Sequence, residues 1–491
     1  MAITSIGLLL IPPSVAIFLL WPKYLVPWGT IVSVFSAASV ISFGGSFPIG
    51  IAPFPFVAVL IAIRFGRLYF ARRLSFARSD PVLPLIRSVL MFTAWGVISA
   101  FLLPVMFANL EVNAARTIIE EPTPLHWTVS NGAQAGYLIL DCLFIMYVIW
   151  VVAKDPAQLE LLMSAFKWSG VVALTVGGYE FLAHLTGLPF PTDFFHSNQA
   201  MAQLITEKIA GTWRLSATAS EPAAAGGLFA CWSAFLLSRV CDRATARRFD
   251  WVLLCGGIAM LILTTSSTGY IAAIALLAFF FWQQGLRPLI RGRVNPRMLL
   301  VCAAVAAAAI VTLTQFPDFH QLLAQVFWEK NESMSGRERL STIWRAFDLV
   351  GESWGLGVGL GSDRASGMLF YVLSNLGVPG VMLLGHSIYV TGALACKACN
   401  PSLVDRAILS HIRASAWAFA VGLLAMATAG SEVAGYGFWL VWSILAASIS
   451  GAHAQQQQIR FNESFPIDAG ERAEGRMIVL RPGQAVSGNR N

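Results

Sequence analysis

QAGYLILDCLFIMYVIWVVA, residues 134–153, is the stretch that decides the fold class. Its only charged residue is Asp141, and as an α-helix its 20 residues would rise about 30 Å, the thickness of a bilayer's hydrocarbon core. Similar apolar runs lie near 88–108, 166–186, 223–240, 251–266, 268–284, 298–314, 367–390, 414–429 and 433–450, and two or three more precede residue 64. The sequence therefore predicts an all-α polytopic transmembrane helix bundle of about 12–13 spans with a large, partly helical loop outside the cytoplasm.

The composition excludes an ordinary soluble domain. Of the 491 residues, 56% are hydrophobic and 12% are charged, whereas about 25% of the residues of a soluble domain carry a charge. The net charge of +7 is concentrated in loops between apolar runs, so it does not indicate a nucleic-acid partner. The single CxxC pair, Cys396 and Cys399, lacks the second pair that a zinc site needs. Neither a metal nor a cofactor is predicted.

Basic residues assign a side to each loop, because arginine and lysine near membrane ends stay in the cytoplasm. The basic loops are 64–87, 239–248, 287–297 and 397–413. Even numbers of predicted spans separate them, so all four can lie on one face. The loops left for the other face are 109–133, 187–222 and 315–366. The sequence thus predicts a membrane domain over residues 1–450.

The two ends of the chain are less regular. The run 27–48 is rich in serine and glycine, which is typical of a re-entrant or poorly spanning segment, and the side of the N-terminus stays open. Residues 451–491 are polar and poor in aromatic residues. This composition predicts a disordered cytoplasmic tail.

The outer loop 315–366 contains arginines that break the topological pattern. In SGRERLSTIWRAFDLV, residues 335–350, the apolar side chains fall on one helical face: Leu340, Ile343, Trp344, Phe347 and Val350. Arg337 and Arg345 fall on the other face. The pattern predicts an amphipathic helix at the membrane surface with its guanidinium groups directed at an anion. The alternative is that the arginines pair with Glu338, Asp348 and phospholipid headgroups.

A second arginine in a loop predicted to lie outside the cytoplasm occurs in TWRLSATASEPAAAGG, residues 212–227. Here Arg214 precedes a membrane helix that is predicted to begin at Pro222, with Ser220 or Glu221 as its cap. The N-terminus of such a helix favours an anion such as phosphate. The alternative is that Arg214 only pairs with Glu221.

Charged residues within apolar runs are costly and usually face a cavity or each other. Glu180 and His184 are four residues apart, so they share a helical face near the outer surface. The pair could accept a proton, or its two members could simply satisfy each other.

These segments resemble the O-antigen ligase and O-antigen polymerase (Wzy-like) superfamily of bacterial membrane glycosyltransferases. The resemblance covers roughly residues 134–450. It depends on WRLSATASEPAAAGG before a membrane helix, on LTTSSTGY between two apolar runs, and on SGRERLSTIWRAFDLVGESWGLGVGLGS, which leads through YVLSNLGVPG into a helix.

The resemblance implies a metal-independent glycosyltransferase in the bacterial inner membrane, with its active face in the periplasm. Its partners would be an undecaprenyl-diphosphate-linked glycan donor, a similarly linked acceptor, membrane lipid and a chain-length regulator protein. Arg214 would bind the donor diphosphate, and the arginines that begin the large periplasmic loop would assist it. The latter are Arg337, Arg339 and Arg345. Three residues could accept the proton of the acceptor hydroxyl: Glu221, Glu180 and His184.

Departures from the ligase pattern favour a polymerase of lipid-linked polysaccharide repeat units. The position that carries a histidine in ligases is Ser366, and the turn that often carries an arginine has Thr268. The first alternative is a ligase that attaches finished glycan to a lipid or protein. The second is a lipid-glycan flippase or transporter, although such proteins often show internal repeats, which are not evident in this sequence.

Overall fold

The structure is a computed structural model. It describes residues 1–44, 49–74, 80–113, 122–199, 203, 208–209, 212–242, 247–290, 292, 334–399, 404–430, 432–433 and 435–464. Across this part of the chain the fold is helical with almost no sheet. The predicted all-α fold class is therefore confirmed.

The described residues form 15 α-helices along the chain. They are α1 (Ser5–Leu20), α2 (Leu25–Val32), α3 (Pro53–Phe70), α4 (Leu83–Met106), α5 (Val129–Lys154), α6 (Ala157–Thr186), α7 (Thr192–Phe195), α8 (Pro222–Cys241), α9 (Arg248–Leu263), α10 (Ser267–Phe281), α11 (Arg287–Ile290), α12 (Met334–Glu352), α13 (Met368–Ala398), α14 (Arg406–Ala429) and α15 (Tyr436–Ser464). A π-helical turn joins α10 to α11.

In the described part of the chain, three small antiparallel sheets lie in the loops. The first has the order β1-β2-β3 and contains Ala2–Ile3, Ile41–Phe43 and Ile49–Ile51, with Ile3 opposite Ile41 and Ser42 opposite Gly50. The other two are the pairs β4 with β5 (Glu111–Val112, Thr123–Pro124) and β6 with β7 (Lys208–Ile209, Thr212–Trp213).

Within the described residues, nine helical segments are long and apolar enough to cross a bilayer. The protein is therefore a multi-pass membrane protein, as the apolar runs predict. The predicted run 298–314 lies outside the described residues. The run 27–48 forms no spanning helix, because α2 ends at Val32 and a β-hairpin begins at Ile41.

Contacts between helix ends bring basic loops together at one end of the bundle, which we call the basic end. Glu160 near the start of α6 lies 2.7 Å from His411 near the start of α14. Arg239 in the last turn of α8 lies 3.9 Å from Asp250 at the start of α9. The loops 109–113, 122–128 and 212–221 consequently lie at the opposite end, as the positions of the arginines predict.

The N-terminal strand lies at the opposite end, and α15 finishes at the basic end. The Thr4 amide donates to Val40 O at 3.3 Å, whereas Gln455 accepts from the Asp405 amide at 2.9 Å. Because α15 continues to Ser464, residues 451–464 are helical and the predicted start of a disordered tail at 451 is wrong. Alanine and glutamine, which fill this segment, have high helix propensity. Residues 465–491 lie outside the described part.

Helix α13 is broken in the middle of its apolar span. Gly377 has φ 64° and ψ −165°, and Pro379 follows it. Proline has no amide hydrogen, so the carbonyl of Asn375 loses its helical donor, and the break at Gly377 removes the donor for Ser374 as well. In a hydrocarbon core such carbonyls must find other partners within the protein.

The preceding glycine-rich loop supplies those partners. The amides of Val358 and Gly359 donate to Ser374 O and Asn375 O at 2.9 and 2.8 Å. The Trp95 indole donates to the next carbonyl, that of Leu376, at 2.9 Å. The break in α13 and the glycine-rich loop before it therefore form one unit. Helix α4 contributes the Trp95 side chain to this unit.

Glycine is required where this loop meets the break. Gly355, Gly357, Gly359 and Gly361 all have positive φ, a conformation that other residues rarely adopt. A Cβ at Gly357 would lie 2.6 Å from the Gly377 nitrogen, and one at Gly377 would lie 2.2 Å from Gly355 O. Only bare backbone fits between the two segments.

We expect Gly377→Ala to destabilise the protein strongly, because the new methyl group collides with Gly355 O at a position of positive φ. Gly385→Ala in the same helix is the matched control, since a Cβ there meets nothing within 4 Å, and alanine favours a helix by up to about 1 kcal/mol. Thermal unfolding in detergent measures both. Equal melting temperatures for the two variants would show that the glycine contact is dispensable.

If the basic end is cytoplasmic, alkaline phosphatase fused after Pro189 should be active and the same enzyme fused after Ser464 should be inactive. The physical basis is the retention of arginine-rich loops in the cytoplasm. Enzyme activity of the two fusions in intact cells measures this, with immunoblotting to control for abundance. The reverse pattern of activity would invert the topology.

Candidate functional site

A buried carboxylate organises the loop that contains Arg214. Glu180, near the end of α6, is 2% exposed. Its Oε1 accepts from the Ser216 amide at 3.2 Å and its Oε2 accepts from the Ala217 amide at 2.6 Å. Hydrogen bonds of backbone amides to a carboxylate are stronger than those between neutral groups. Glu180 therefore fixes the position of residues 214–218.

The structure places His184 beside Glu180, as the sequence predicts. Nε2 of His184 lies 3.8 Å from Oε1 of Glu180, which is too long for a hydrogen bond. The imidazole instead stacks on Trp213, with ring centroids 4.6 Å apart and planes inclined by 5°. The Lys208 ammonium lies 4.0 Å from the centroid of the same Trp213 ring. His184 thus helps to hold the residue that precedes Arg214.

Other elements hold the same loop from further sides. The Leu215 amide donates to Leu263 O at the end of α9, and the Ala37 amide donates to Thr218 O. His196 Nε2 lies 3.1 Å from Ala219 O. Burial lowers the pKa of His196 below its ordinary value, so at pH 7 the ring is neutral and Nε2 carries the donated proton.

Two helix N-termini meet next to this loop. As predicted, α8 begins at Pro222 with Glu221 as its N-cap residue, and α10 begins at Ser267 after a short turn. The helices are close enough that a Cβ at Gly226 would lie 3.2 Å from Gly269 Cα. Both N-termini carry the positive end of a helix dipole and unsatisfied amides. Their proximity favours an anion at this end of the bundle.

Buried hydroxyl groups surround the paired N-termini. Ser216, Thr218, Thr265 and Ser266 are each at most 4% exposed, and within the described residues their hydroxyl oxygens have no hydrogen-bond partner. Burying a hydroxyl without a partner is costly, and each such group calls for an explanation. A ligand with several acceptor oxygens would provide one.

Backbone strain occurs in both loops at this place. Ala217 has φ 50° and Thr265 has φ 42°, although neither is glycine and threonine is β-branched. Such strained residues cost about 1–3 kcal/mol each and cluster at functional sites. Both residues lie in segments that carry the family resemblance, but no sequence pattern predicts their positive φ.

Arg214 and Glu221 lie at the edge of the site. Arg214 is half-buried, and its charge acts on Tyr270 in the first turn of α10. The Glu221 side chain is half-buried as well and makes no capping hydrogen bond. Arg214 is therefore positioned next to both N-termini, and the Glu221 carboxylate stands at the start of one of them.

The loop arginines have a different arrangement from the predicted one. Helix α12 forms as predicted, but Arg345 makes a bidentate pair with Glu352 at 2.9 and 3.0 Å and also donates to Glu111 O at 2.6 Å. These contacts give Arg345 a structural role that the sequence did not indicate, and its part in binding an anion stays a prediction. Arg337 is exposed and Arg339 is half-buried.

Burial on α12 also differs from the predicted pattern. The buried residues of α12 are Thr342, Ala346 and Leu349, none of which belongs to the predicted apolar face, and Thr342 Oγ1 lies 3.1 Å from Ser366 Oγ. The aromatic face is open, with Trp344 67% exposed. Such a face suits contact with lipid, as the predicted amphipathic surface helix requires.

We expect Glu180→Ala to lower stability by about 2 kcal/mol or more, because two buried amides lose their acceptor and each costs about 1–3 kcal/mol. Glu180→Gln retains one acceptor oxygen and should fall between this variant and the wild type. The matched control is Glu221→Ala, whose side chain makes no cap. Apparent melting temperatures in detergent provide the measurement. If Glu180→Ala has the same melting temperature as the wild type, the Glu180 carboxylate does not hold the loop 214–218.

Comparison with known proteins assigns the chain to no family. No family model matches the chain, and no curated protein sequence matches it either. The functional assignment therefore depends on the geometry of the site and on the motifs of the sequence.

Proposed function

We propose that the protein is a polymerase of polyprenyl-diphosphate-linked polysaccharide repeat units, acting at the periplasmic face of a bacterial inner membrane. The observation that carries this proposal is the convergence of the α8 and α10 N-termini, Arg214 and four buried hydroxyls without partners in the described residues. All of these groups favour one ligand, a compact polyanion with many acceptor oxygens. A diphosphate has that chemistry.

The site lies where a lipid-linked substrate would present its diphosphate. It is at the ends of membrane helices, so a polyprenyl tail would extend into the hydrocarbon while the sugars remain in water. The exposed aromatic face of α12, at the same end of the bundle, supports a position at the membrane surface. A soluble anion would gain nothing from this location.

In the proposed reaction, a hydroxyl of the acceptor sugar attacks the anomeric carbon of the donor's first sugar. The bond between that carbon and the diphosphate oxygen breaks, and its electron pair leaves with polyprenyl diphosphate. Arg214 and the two helix N-termini stabilise the charge that builds on this leaving group. No metal is assigned to this step.

The hydroxyl proton must pass to a base. Glu221 offers a carboxylate that makes no cap and stands at the start of α8, so it is our first choice. His184 is about one quarter exposed and is the second. Glu180 is almost fully buried and accepts two amides, so we assign it a positioning role.

The surroundings of Ser366 support a polymerase over a ligase. Ser366 occupies the position that holds a histidine in ligases, and it is hydrogen-bonded to Thr342. Its hydroxyl therefore contributes to the packing of α12 on α13, and serine is a poor general base. The ligase and flippase alternatives become outcomes of the experiment below.

We expect Arg214→Lys to lower polymer formation about 10-fold or more at unchanged abundance, because lysine keeps the charge but loses the bidentate fork, a difference of about 1.5–3 kcal/mol. Arg87→Lys, an exposed arginine at the basic end, is the matched control. Each variant is expressed in a deletion strain, and mass spectrometry identifies the lipid-linked saccharides that accumulate.

The accumulated species distinguishes the candidate functions. Finished chains indicate a lost ligase. Single repeat units indicate a lost polymerase if a glycosidase added to spheroplasts can digest them, and a lost flippase if they are protected. Wild-type polymer length in Arg214→Lys would remove Arg214 from the donor site.

A further inference from the structure

A cavity of about 200 Å³ opens at the basic end, far from the site described above. It lies between the turn that joins α1 to α2, the end of α3, the end of α5 and the start of α6. A single water needs roughly 10–15 Å³ of such space, so the cavity can hold a group much larger than one water molecule. Its polar walls include Lys23, Arg64, Tyr147, Lys154 and Gln158.

The charge of the cavity is positive. Lys23, Arg64 and Lys154 line it, and none of them forms an ion pair with a carboxylate in the described part of the chain. Arg64 Nε donates to the Tyr147 hydroxyl at 2.9 Å, which leaves the rest of its guanidinium for another acceptor. Three cationic side chains that line one cavity favour an anion with several oxygens, such as a phosphate.

The one carboxylate in the wall does not neutralise this charge. Oδ1 of Asp155 accepts from the Ala157 amide at 3.2 Å, and Oδ2 accepts from Gln158 Nε2 at 3.1 Å. These bonds hold Asp155 at the start of α6, where the helix dipole favours a negative charge. The cavity therefore keeps a net positive charge.

Gln158 adds a requirement beyond charge. Its Nε2 donates to Asp155, and since a carboxylate only accepts, the orientation of the amide is fixed. Its Oε1 is buried and has no hydrogen-bond partner among the described residues, and Gln158 as a whole is 7% exposed. A ligand that completes this wall must bring a donor as well as an anion.

The position of the cavity points to a lipid. Trp21 and Tyr24, in the turn beside it, are 54% and 40% exposed, and Leu20 just before them is 66% exposed. Aromatic residues at this depth mark the membrane–water interface. Basic pockets between membrane helices at that interface bind lipid headgroups.

We propose that this cavity binds the headgroup of an anionic glycerophospholipid that carries a hydroxyl, as phosphatidylglycerol does. The phosphate lies among Lys23, Arg64 and Lys154, and the headgroup hydroxyl donates to Gln158 Oε1. The acyl chains leave along the apolar surface of α1. This assignment is independent of the proposed polymerase activity.

The test is native mass spectrometry of the purified full-length protein in detergent, titrated with phosphatidylglycerol. We expect Lys23→Gln/Lys154→Gln to weaken the tightest binding event about 10-fold or more, because two charge-assisted contacts to the phosphate are lost. Lys397→Gln/Arg406→Gln removes the same number of exposed charges at the same end and should bind like the wild type. Equal binding by both double variants overturns the proposal.

Two further arms identify the source of the phosphate and the role of the hydroxyl. Inorganic phosphate at the lipid's concentration should not displace phosphatidylglycerol, and displacement would mean a site for a soluble anion. Wild type should prefer phosphatidylglycerol to phosphatidic acid, which lacks the headgroup hydroxyl, and Gln158→Leu should lose that preference. An unchanged preference in Gln158→Leu overturns the assigned hydroxyl contact.

Discussion

The structure depends on one constraint, that a backbone carbonyl in hydrocarbon needs a donor from the protein itself. The break at Gly377 and Pro379 violates helical bonding in the middle of a span, and the amides of Val358 and Gly359 repair it. The Asn375 side chain completes the repair by accepting from two amides of the same loop. The segment between α12 and α13 is therefore fixed to the bundle, and with it the orientation of α12.

The candidate site has its own support at the far end of the same helices. Four helices that build or surround it are joined at the basic end by a chain of charged groups. Lys167 and Arg239 approach Asp250 at 3.4 and 3.9 Å. His411 accepts from Arg239 at 3.3 Å through Nδ1 and donates to Glu160 at 2.7 Å through Nε2. Asp250 at the centre of this network is fully buried, so removing one of its partners is costly.

The ionic network, which holds the helices, and the loops of the candidate site therefore lie at opposite ends of the bundle. The ionic network fixes the relative positions of α6, α8, α9 and α14 at one end. The loops 212–221 and 264–266 can then hold strained residues and unsatisfied hydroxyls at the other end. Strain of this kind persists only where the surrounding structure determines it. Functional sites carried by rigid elements keep their geometry more accurately than sites on free loops.

The features that the sequence predicted correctly are those encoded locally. Hydrophobic run length identified nine spanning segments of the described residues, but the run 251–266 forms the 16-residue α9, which is not among them. Proline after a capping residue located the start of α8 at Pro222. The spacing of Trp344 and Phe347 identified the amphipathic helix. The helical extension to Ser464 was missed, although its alanines and glutamines favour a helix. There, polarity was mistaken for disorder.

The features that the sequence did not reveal depend on contacts between distant residues. Nothing near Glu180 shows that its carboxylate accepts amides from residues 216 and 217. Arg345 looked available because Glu352 is seven positions away, outside the usual helical pairing distance, and Glu111 is more distant still. The turn 264–266 belongs to the segment LTTSSTGY that carries the family resemblance, but no local pattern showed that Thr265 is strained or that the Thr265 and Ser266 hydroxyls are buried without partners in the described residues. Only the tertiary structure shows that these residues lie at the candidate site.

The hydrogen bond from Trp95 to the broken helix α13 has a consequence for the biosynthesis of the protein. Its two partners, Trp95 and Leu376, are 281 positions apart in the chain. At roughly 5–20 residues per second, a ribosome needs about a quarter of a minute to a minute to make the intervening chain. Throughout that interval α4 sits in the bilayer without its final neighbour, and the indole must find a temporary partner. Assembly of this half of the bundle is therefore a late event, completed only when the last third of the chain emerges.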